Sequence, residues 1–510
     1  MASTDRAYLA AIDQGTTGTR CILFDLAGNV VRSAYREHDQ YFPRPGWVEH
    51  DPVQIWERTQ TVVAEALAAA PRGRLLAVGI TNQRETTVAW DGRTGRPLYN
   101  AIVWQDLRTE GDCRALIEAG WGDDVRRRTG LPISTYFSAT KIRWLLAHVP
   151  EVRAAAAAGW LRLGTMDTWL VWHLTGGAAG GAHVTDPTNA SRTLLCNLDT
   201  LAWDPVLLDR FGVPAAALPE IRPSVPAVPY GFTAPDGPFH ARVPVCGILG
   251  DQQAALVGQA CVAPGDAKNT YGTGSFLLQH VGGRPAWSSH GLLGTAAYVA
   301  APGGGELLRA YALEGSIAVT GAAVQWLRDN LGLIASAAET EALARSVPDA
   351  GGVYFVPAFS GLFAPYWDMR ARGAIVGLTR YVTKAHLVRA TLEAICFQSR
   401  EVLDAMVADS GRPVTALKVD GGAAANDFLM QLQADILGVP VVRPAVRETT
   451  ALGAAYAAGL AIGAFPSLDA LRQLWRADRT FEPAWDAGRR EEALRGWRRA
   501  VERARGWVEG

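Results

Sequence analysis

Two short turns rich in glycine and threonine carry groups suited to a phosphate chain. The first, Asp13-Gln14-Gly15-Thr16-Thr17-Gly18-Thr19-Arg20, lies between apolar runs at 8–12 and 21–24. The second, Asn269-Thr270-Tyr271-Gly272-Thr273-Gly274-Ser275, again leads into an apolar run. Such turns offer backbone N–H groups and hydroxyls to phosphate oxygens. Asp13 stands at the end of its strand, where a carboxylate would help hold Mg²⁺. Asp251 ends a later strand in the same way. A third element, Val419-Asp420-Gly421-Gly422-Ala423-Ala424-Ala425-Asn426, pairs two glycines between a strand and a helix. Paired glycines let a flat ring approach the backbone, and Asn426 offers an amide to a base or ribose. Arg84-Glu85 sets a fork of donors beside an acceptor, a combination that grips the adjacent hydroxyls of a small polyol. On sequence alone the same pair also reads as a surface ion pair. Trp104, Tyr136 and Phe276 would wall a carbon chain, or serve as ordinary core.

These residues need elements to position them. Strands are expected at 8–12, 21–24 and 30–36 as a meander, then a helix over 52–70 capped by Asp51 with Pro52 at its first position. A strand at 75–81 ends just before Arg84, and 105–175 reads mostly helical. The stretch 213–244 is rich in Pro and Gly, after which a strand at 243–249 runs into Asp251 and a helix over 252–259. A helix is expected over 314–330, a short strand at 417–419, and a helix from about 425. The uncharged stretch 451–465, rich in Ala and Gly, is short for a membrane span and reads as a tightly packed interior helix. Strands alternating with helices argue α/β, with domains at 1–258 and 259–510. Neither glycine cluster fits the dinucleotide fingerprint of a strand-turn-helix unit.

Composition excludes other classes. The chain has 510 residues, 49% apolar and 19% charged, with a formal net charge of −1. No basic excess exists to neutralise a nucleic-acid backbone. Only four lysines occur, Lys141, Lys268, Lys384 and Lys418, and none follows a glycine, so no Walker A loop is present. Six scattered cysteines form no CxxC pair and read as buried free thiols of a reducing compartment. The start of the chain is short and polar, without the apolar core of a secretory signal, so a cytoplasmic protein is expected.

Phosphate turn, linking segment, phosphate turn and adenosine turn, in that order, resemble the fold of actin, sugar kinases and Hsp70. That implies two actin-like, ribonuclease H-like ATPase domains of α/β class with the active-site cleft between them. Over nearly its whole length the chain is similar to the FGGY carbohydrate kinase family, and within it to the members that phosphorylate glycerol. The matching stretches are 12–17, 80–87, 101–105, 164–169, 184–193 and 250–256, with the two family signatures recognisable at 136–144 and 373–393. The resemblance implies ATP and Mg²⁺ as cofactors, glycerol as substrate and sn-glycerol 3-phosphate as product. It implies Asp251 as general base and Asp13 as the Mg²⁺ residue. Arg84, Glu85, Tyr136, Asp251 and Gln252 would bind glycerol, with Trp104 and Phe276 walling it. Thr16, Thr17, Gly18, Arg20 and Thr273 would surround the phosphates, and Gly321, Gln325, Gly422 and Asn426 the adenosine. A homodimer or homotetramer is implied, with no nucleic acid and no membrane insertion.

The chain departs from the family where Gly18-Thr19 stands for the usual Ser-Ser, which removes a hydroxyl from the first turn. The stretch 236–242 keeps Arg242 but lacks the lysine and most glycines of a fructose 1,6-bisphosphate loop, and His240 does not sit in a phosphorylated-histidine motif. Two other readings remain at this point: an FGGY kinase for another small polyol or ketose, and a non-catalytic actin-like ATPase or sugar-sensing module.

Overall fold

The computed structural model describes residues 6–509. Two mixed sheets organise the chain. The first has six strands in the order Gly231–Phe232, Pro244–Gly250, Arg74–Asn82, Ala7–Gln14, Gly18–Asp25 and Val30–Glu37. Its outer three form the expected antiparallel meander, while Arg74–Asn82 runs parallel to both Ala7–Gln14 and Pro244–Gly250. The second has seven strands in the order Leu293–Ala300, Leu308–Ile317, Ser275–Gly282, Ala267–Tyr271, Leu417–Gly421, Val441–Pro444 and Ala477–Phe481. Here too a hairpin closed by a Gly/Thr turn, Ala267–Tyr271 with Ser275–Gly282, lies beside parallel neighbours. Each sheet therefore points one Gly/Thr turn and the carboxyl ends of its parallel strands at the same region.

The helix Pro52–Ala68 forms as its cap signals predict: Asp51 accepts from the Val53 amide at 2.8 Å and Pro52 occupies the first position. One expectation fails. Residues 314–317 belong to the strand Leu308–Ile317, and the helix begins only at Gly321, ending at Asp329. The strand is sandwiched between Ser275–Gly282 and Leu293–Ala300 and buried on both faces from Ala310 onward. A strand covered on both sides loses the alternation that identifies it, and its apolar run passes for a helix.

The expected interior helix is Thr449–Ala461. It comes late in the chain, yet it packs on Asp251–Gly258 and across the strands Ala7–Gln14, Arg74–Asn82 and Pro244–Gly250 of the first sheet. Small residues let the backbones nearly touch. A Cβ at Gly453 would lie 1.8 Å from the Ala254 carbonyl oxygen, and one at Gly258 would lie 1.9 Å from that of Thr449. Among the described residues no helix is long and apolar enough to cross a membrane, and the six cysteines are buried and unpaired.

Gly453→Val forces a branched side chain into this backbone contact and is expected to lower stability by about 1–3 kcal/mol. Gly111→Ala, at a helical glycine with no heavy atom within 4 Å of its virtual Cβ, is expected to be neutral or stabilising. Chemical denaturation midpoints of the two variants check this, and equal midpoints would contradict the packing argument.

Candidate active site

Arg84 and Glu85 follow the strand Arg74–Asn82 and are buried, 2% exposed each. The sequence left open whether the pair is a surface ion pair; it is not. Arg84 donates from Nη1 to Glu314 Oε2 at 2.5 Å and from Nη2 to Glu314 Oε1 at 2.9 Å, a bidentate fork across the two sheets. A second guanidinium completes the group: Arg192 donates from Nε to Glu85 Oε1 at 2.8 Å and from Nη2 to Glu314 Oε1 at 3.1 Å. Burial alone would raise the Glu314 carboxyl, but Arg192 and Arg84 outweigh it and hold it at about 2. Burial likewise works against the Arg84 charge, and Glu314, Glu85 and Asp251 keep it cationic.

Asp251 opens the helix Asp251–Gly258 and is one-third exposed, the least covered carboxylate against Arg84. Arg84 Nε lies 3.2 Å from its Oδ1, and the Gln252 amide donates to the same oxygen at 2.7 Å. The Gly250 amide before it is fixed by Thr188 Oγ1 at 2.8 Å. Gln252 is buried; its Nε2 donates to Asp251 Oδ2 at 3.2 Å, and its Oε1 accepts from Lys268 Nζ at 2.5 Å. Burial lowers Lys268 to about 8. The carboxylate is thus oriented by protein donors while part of it faces the cleft.

Asp13 is half-buried at the end of Ala7–Gln14. Burial pushes its carboxyl up to about 7; Arg20 opposes the rise, and the charges of Asp251 and Glu448 add to it. A buried carboxyl with two further carboxylates near it suits a divalent cation, and oxygen donors of this kind suit Mg²⁺. Thr16 Oγ1 accepts from Trp104 Nε1 at 2.9 Å, and the Thr16 carbonyl from Gln40 Nε2 at 3.0 Å. Thr17 is exposed, whereas Thr19 is buried with its hydroxyl unpartnered. Arg20 is held by Glu448, which immediately precedes the helix Thr449–Ala461.

The Trp104 ring meets Tyr136 edge-on, 5.4 Å between centroids. Lys141 fixes the turn that carries Tyr136, donating to the carbonyls of Thr135, Tyr136 and Phe137 at 2.5, 3.0 and 3.1 Å. Burial and the Glu85 charge raise the Tyr136 phenol. Phe276, on Ser275–Gly282, is half-buried. Beyond it, a cavity of about 500 Å³ is lined by Thr273, Gly321, Gln325, Gly422 and Asn426 together. Gly421 is the glycine that packing requires: its φ is +86°, and a Cβ there would lie 2.3 Å from the Tyr271 carbonyl oxygen. A Cβ on Gly422 would meet nothing within 4 Å. Asn426 caps the helix Asp427–Leu437 through the Leu429 amide at 2.9 Å and donates to Thr340 at 3.1 Å, so much of its amide is already used.

Sequence reasoning gave no role to Glu314, Arg192, Lys268 or Glu448. Glu314 was hidden by the misplaced helix. Arg192 lies inside the matching stretch 184–193, which was its one signal. Nothing in the sequence marked Lys268, whose strand is Ala-Lys-Asn-Thr-Tyr, or Glu448.

Two mixed sheets, each presenting a Gly/Thr turn to a shared cleft in which Asp13 and Asp251 of the first sheet also stand, define a two-domain kinase of the actin-like ATPase class. The models of the N-terminal and C-terminal domains of the FGGY family of carbohydrate kinases match residues 8–258 and 267–462. The chain is 58% identical over 505 residues to glycerol kinase of Mycobacterium tuberculosis, covering 98% of this chain and 97% of the relative. It is 59% identical over 504 residues to glycerol kinase of Chloroflexus aggregans, covering 98% and 99%. Among solved structures, Plasmodium falciparum glycerol kinase with ADP superposes with a TM-score of 0.92 at 37% identity, covering 99% of each chain. The chain belongs to the FGGY family of carbohydrate kinases.

Glu314→Gln leaves two buried guanidiniums short of one negative charge, and the expected loss of stability is about 3–5 kcal/mol at neutral pH. Because its folded pKa of about 2 lies below the ordinary 4.5, the stabilisation by Glu314 is complete above pH 4.5 and disappears as pH falls toward 2. Denaturation at pH 7 and pH 3 checks both: the difference between wild type and variant should shrink at the lower pH.

For Asp13 the sign is opposite. A carboxyl raised to about 7 holds a proton that a cation must displace, so Mg²⁺-dependent nucleotide binding should weaken as pH falls below 7. Titrations between pH 6 and pH 8 check this, and Asp13→Asn should flatten the dependence.

Proposed function

We propose that the protein transfers the γ-phosphoryl group of ATP to glycerol, producing sn-glycerol 3-phosphate, with domains 1–258 and 259–510 closing on the two substrates. The observation that carries this reading is Asp251. Its carboxylate is aimed by Arg84, Gln252 and the Thr188-anchored backbone, and is left partly open beside the first phosphate turn. Identity of 58% to glycerol kinases over nearly the whole chain supports the substrate.

Asp251 accepts the proton of the glycerol hydroxyl as its oxygen attacks phosphorus. Arg84 Nε, Glu85, Tyr136 and Gln252 orient the hydroxyls, and Trp104 and Phe276 wall the carbon chain. Thr16, Thr17, Gly18 and Thr273 present amides and hydroxyls to the phosphates, and Arg20 offers positive charge once it shares its contact with Glu448. Gly321, Gln325, Gly422 and Asn426 line the cavity for adenosine. Mg²⁺, held by Asp13, would neutralise charge on the triphosphate. Closure of the domains excludes water that would otherwise hydrolyse ATP. The enzyme is assigned to the cytoplasm, as a homodimer or homotetramer.

Purified protein is expected to release ADP only when ATP, Mg²⁺ and glycerol are all present, with kcat/KM for glycerol far above that for erythritol or xylulose. Asp251→Asn should abolish transfer while nucleotide still binds. A coupled ADP-release assay reads each point; equal ADP release without glycerol would sink the proposal.

A further inference from the structure

Gly18 has no room for a side chain. A Cβ there would lie 2.6 Å from the Tyr35 hydroxyl and 2.6 Å from the Arg36 carbonyl oxygen. Its φ lies outside the left-handed region, so space and not backbone conformation requires glycine. Residue 18 therefore presents only its backbone to the first turn. The volume beside it is filled from the neighbouring strand by a phenol.

The placement of Tyr35 is set by register. Asp13 pairs with Arg20 across the first hairpin, and Arg20 pairs with Tyr35 across the second. Directly opposed residues on antiparallel strands project from one face. Carboxylate, guanidinium and phenol thus form one row across three strands. That face is the one turned toward Glu448, whose side chain reaches Arg20. All three side chains are half-buried. The Arg20 guanidinium lies over the Tyr35 ring, 5.3 Å from its centroid, which fixes the ring's direction. The hydroxyl reaches back to the turn and meets Thr17 Oγ1 at 3.5 Å, the outer limit of a hydrogen bond. It is a donor with spare capacity, at the lip of a turn whose own residue cannot supply one.

We propose that Tyr35 is a phosphate-binding residue of this enzyme: its hydroxyl, delivered from the third strand of the meander, donates to the nucleotide phosphates at the place where Gly18 has only a backbone. The inference rests on the ATP-dependent reading above. Tyr35 touches substrate in this role but takes no part in proton transfer. It also steadies Arg20 for the same anion.

Tyr35→Phe keeps the ring, its packing against Gly18 and its stack with Arg20, and removes only the hydroxyl. The test is calorimetric binding of Mg-ATP and of adenosine to the full chain without glycerol, beside steady-state kinetics. Loss of one hydrogen bond to a charged group is expected to weaken Mg-ATP by about tenfold. Adenosine affinity should be unchanged. KM for ATP should rise by a similar factor while KM for glycerol and the thermal unfolding midpoint stay at wild-type values. Unaltered Mg-ATP affinity, or an equal loss for adenosine, would overturn the assignment. If wild-type protein fails to phosphorylate glycerol, the functional reading falls, and the difference in Mg-ATP binding still reports on Tyr35.

Discussion

Four buried charges, Arg84, Glu85, Arg192 and Glu314, tie the two sheets of this protein together beneath the candidate active site. None is more than 2% exposed, so none can rely on water, and each needs the others. The arrangement is electrically balanced, two guanidiniums against two carboxylates, and its geometry is fixed by a bidentate fork and two further hydrogen bonds. Asp251 then joins at the rim. Because Arg84 spends both terminal nitrogens on Glu314, only its Nε edge remains toward Asp251 and the cleft. The same interaction that holds the second sheet against the first therefore decides which face of Arg84 is available to a ligand.

A second constraint works behind the first. Thr449–Ala461 belongs to the late part of the chain but packs on the strands of the first sheet, and it does so through backbone contacts that tolerate no side chain at Gly453, Gly258 or Gly79. Glu448 enters the cleft because it precedes this helix, and reaches Arg20 beside the first turn. A segment conventionally counted with the second domain thus supplies an acidic neighbour to the first domain's phosphate turn.

Much of this was legible from sequence, for local reasons. The Gly/Thr turns, the Asp51 cap and the strand-end positions of Asp13 and Asp251 are short-range signals, and each depends on residues adjacent in the chain. The four residues assigned to adenosine lie in two separate stretches, 321–325 and 422–426, and still line one cavity, because resemblance across the whole chain carried them. What escaped was long-range. Glu314 sits 230 residues from Arg84, on a strand buried on both faces, and read as part of a helix. Gly18 was read as a lost hydroxyl; only the register of the third strand reveals what occupies the vacant volume. Asn426 was legible as a polar group near a base, but its work as a helix cap required knowing where the helix begins.

Thr16 illustrates how a single hydrogen bond sets polarity. Its oxygen accepts from the Trp104 indole at 2.9 Å, and an indole N–H has no acceptor capacity to offer in return. The proton of Thr16 must therefore point away from the tryptophan, while its second lone pair stays open as an acceptor. The indole of Trp104 thus sets the direction in which the first Gly/Thr turn can offer one of its O–H bonds, a constraint exerted by a residue 88 positions further along the chain.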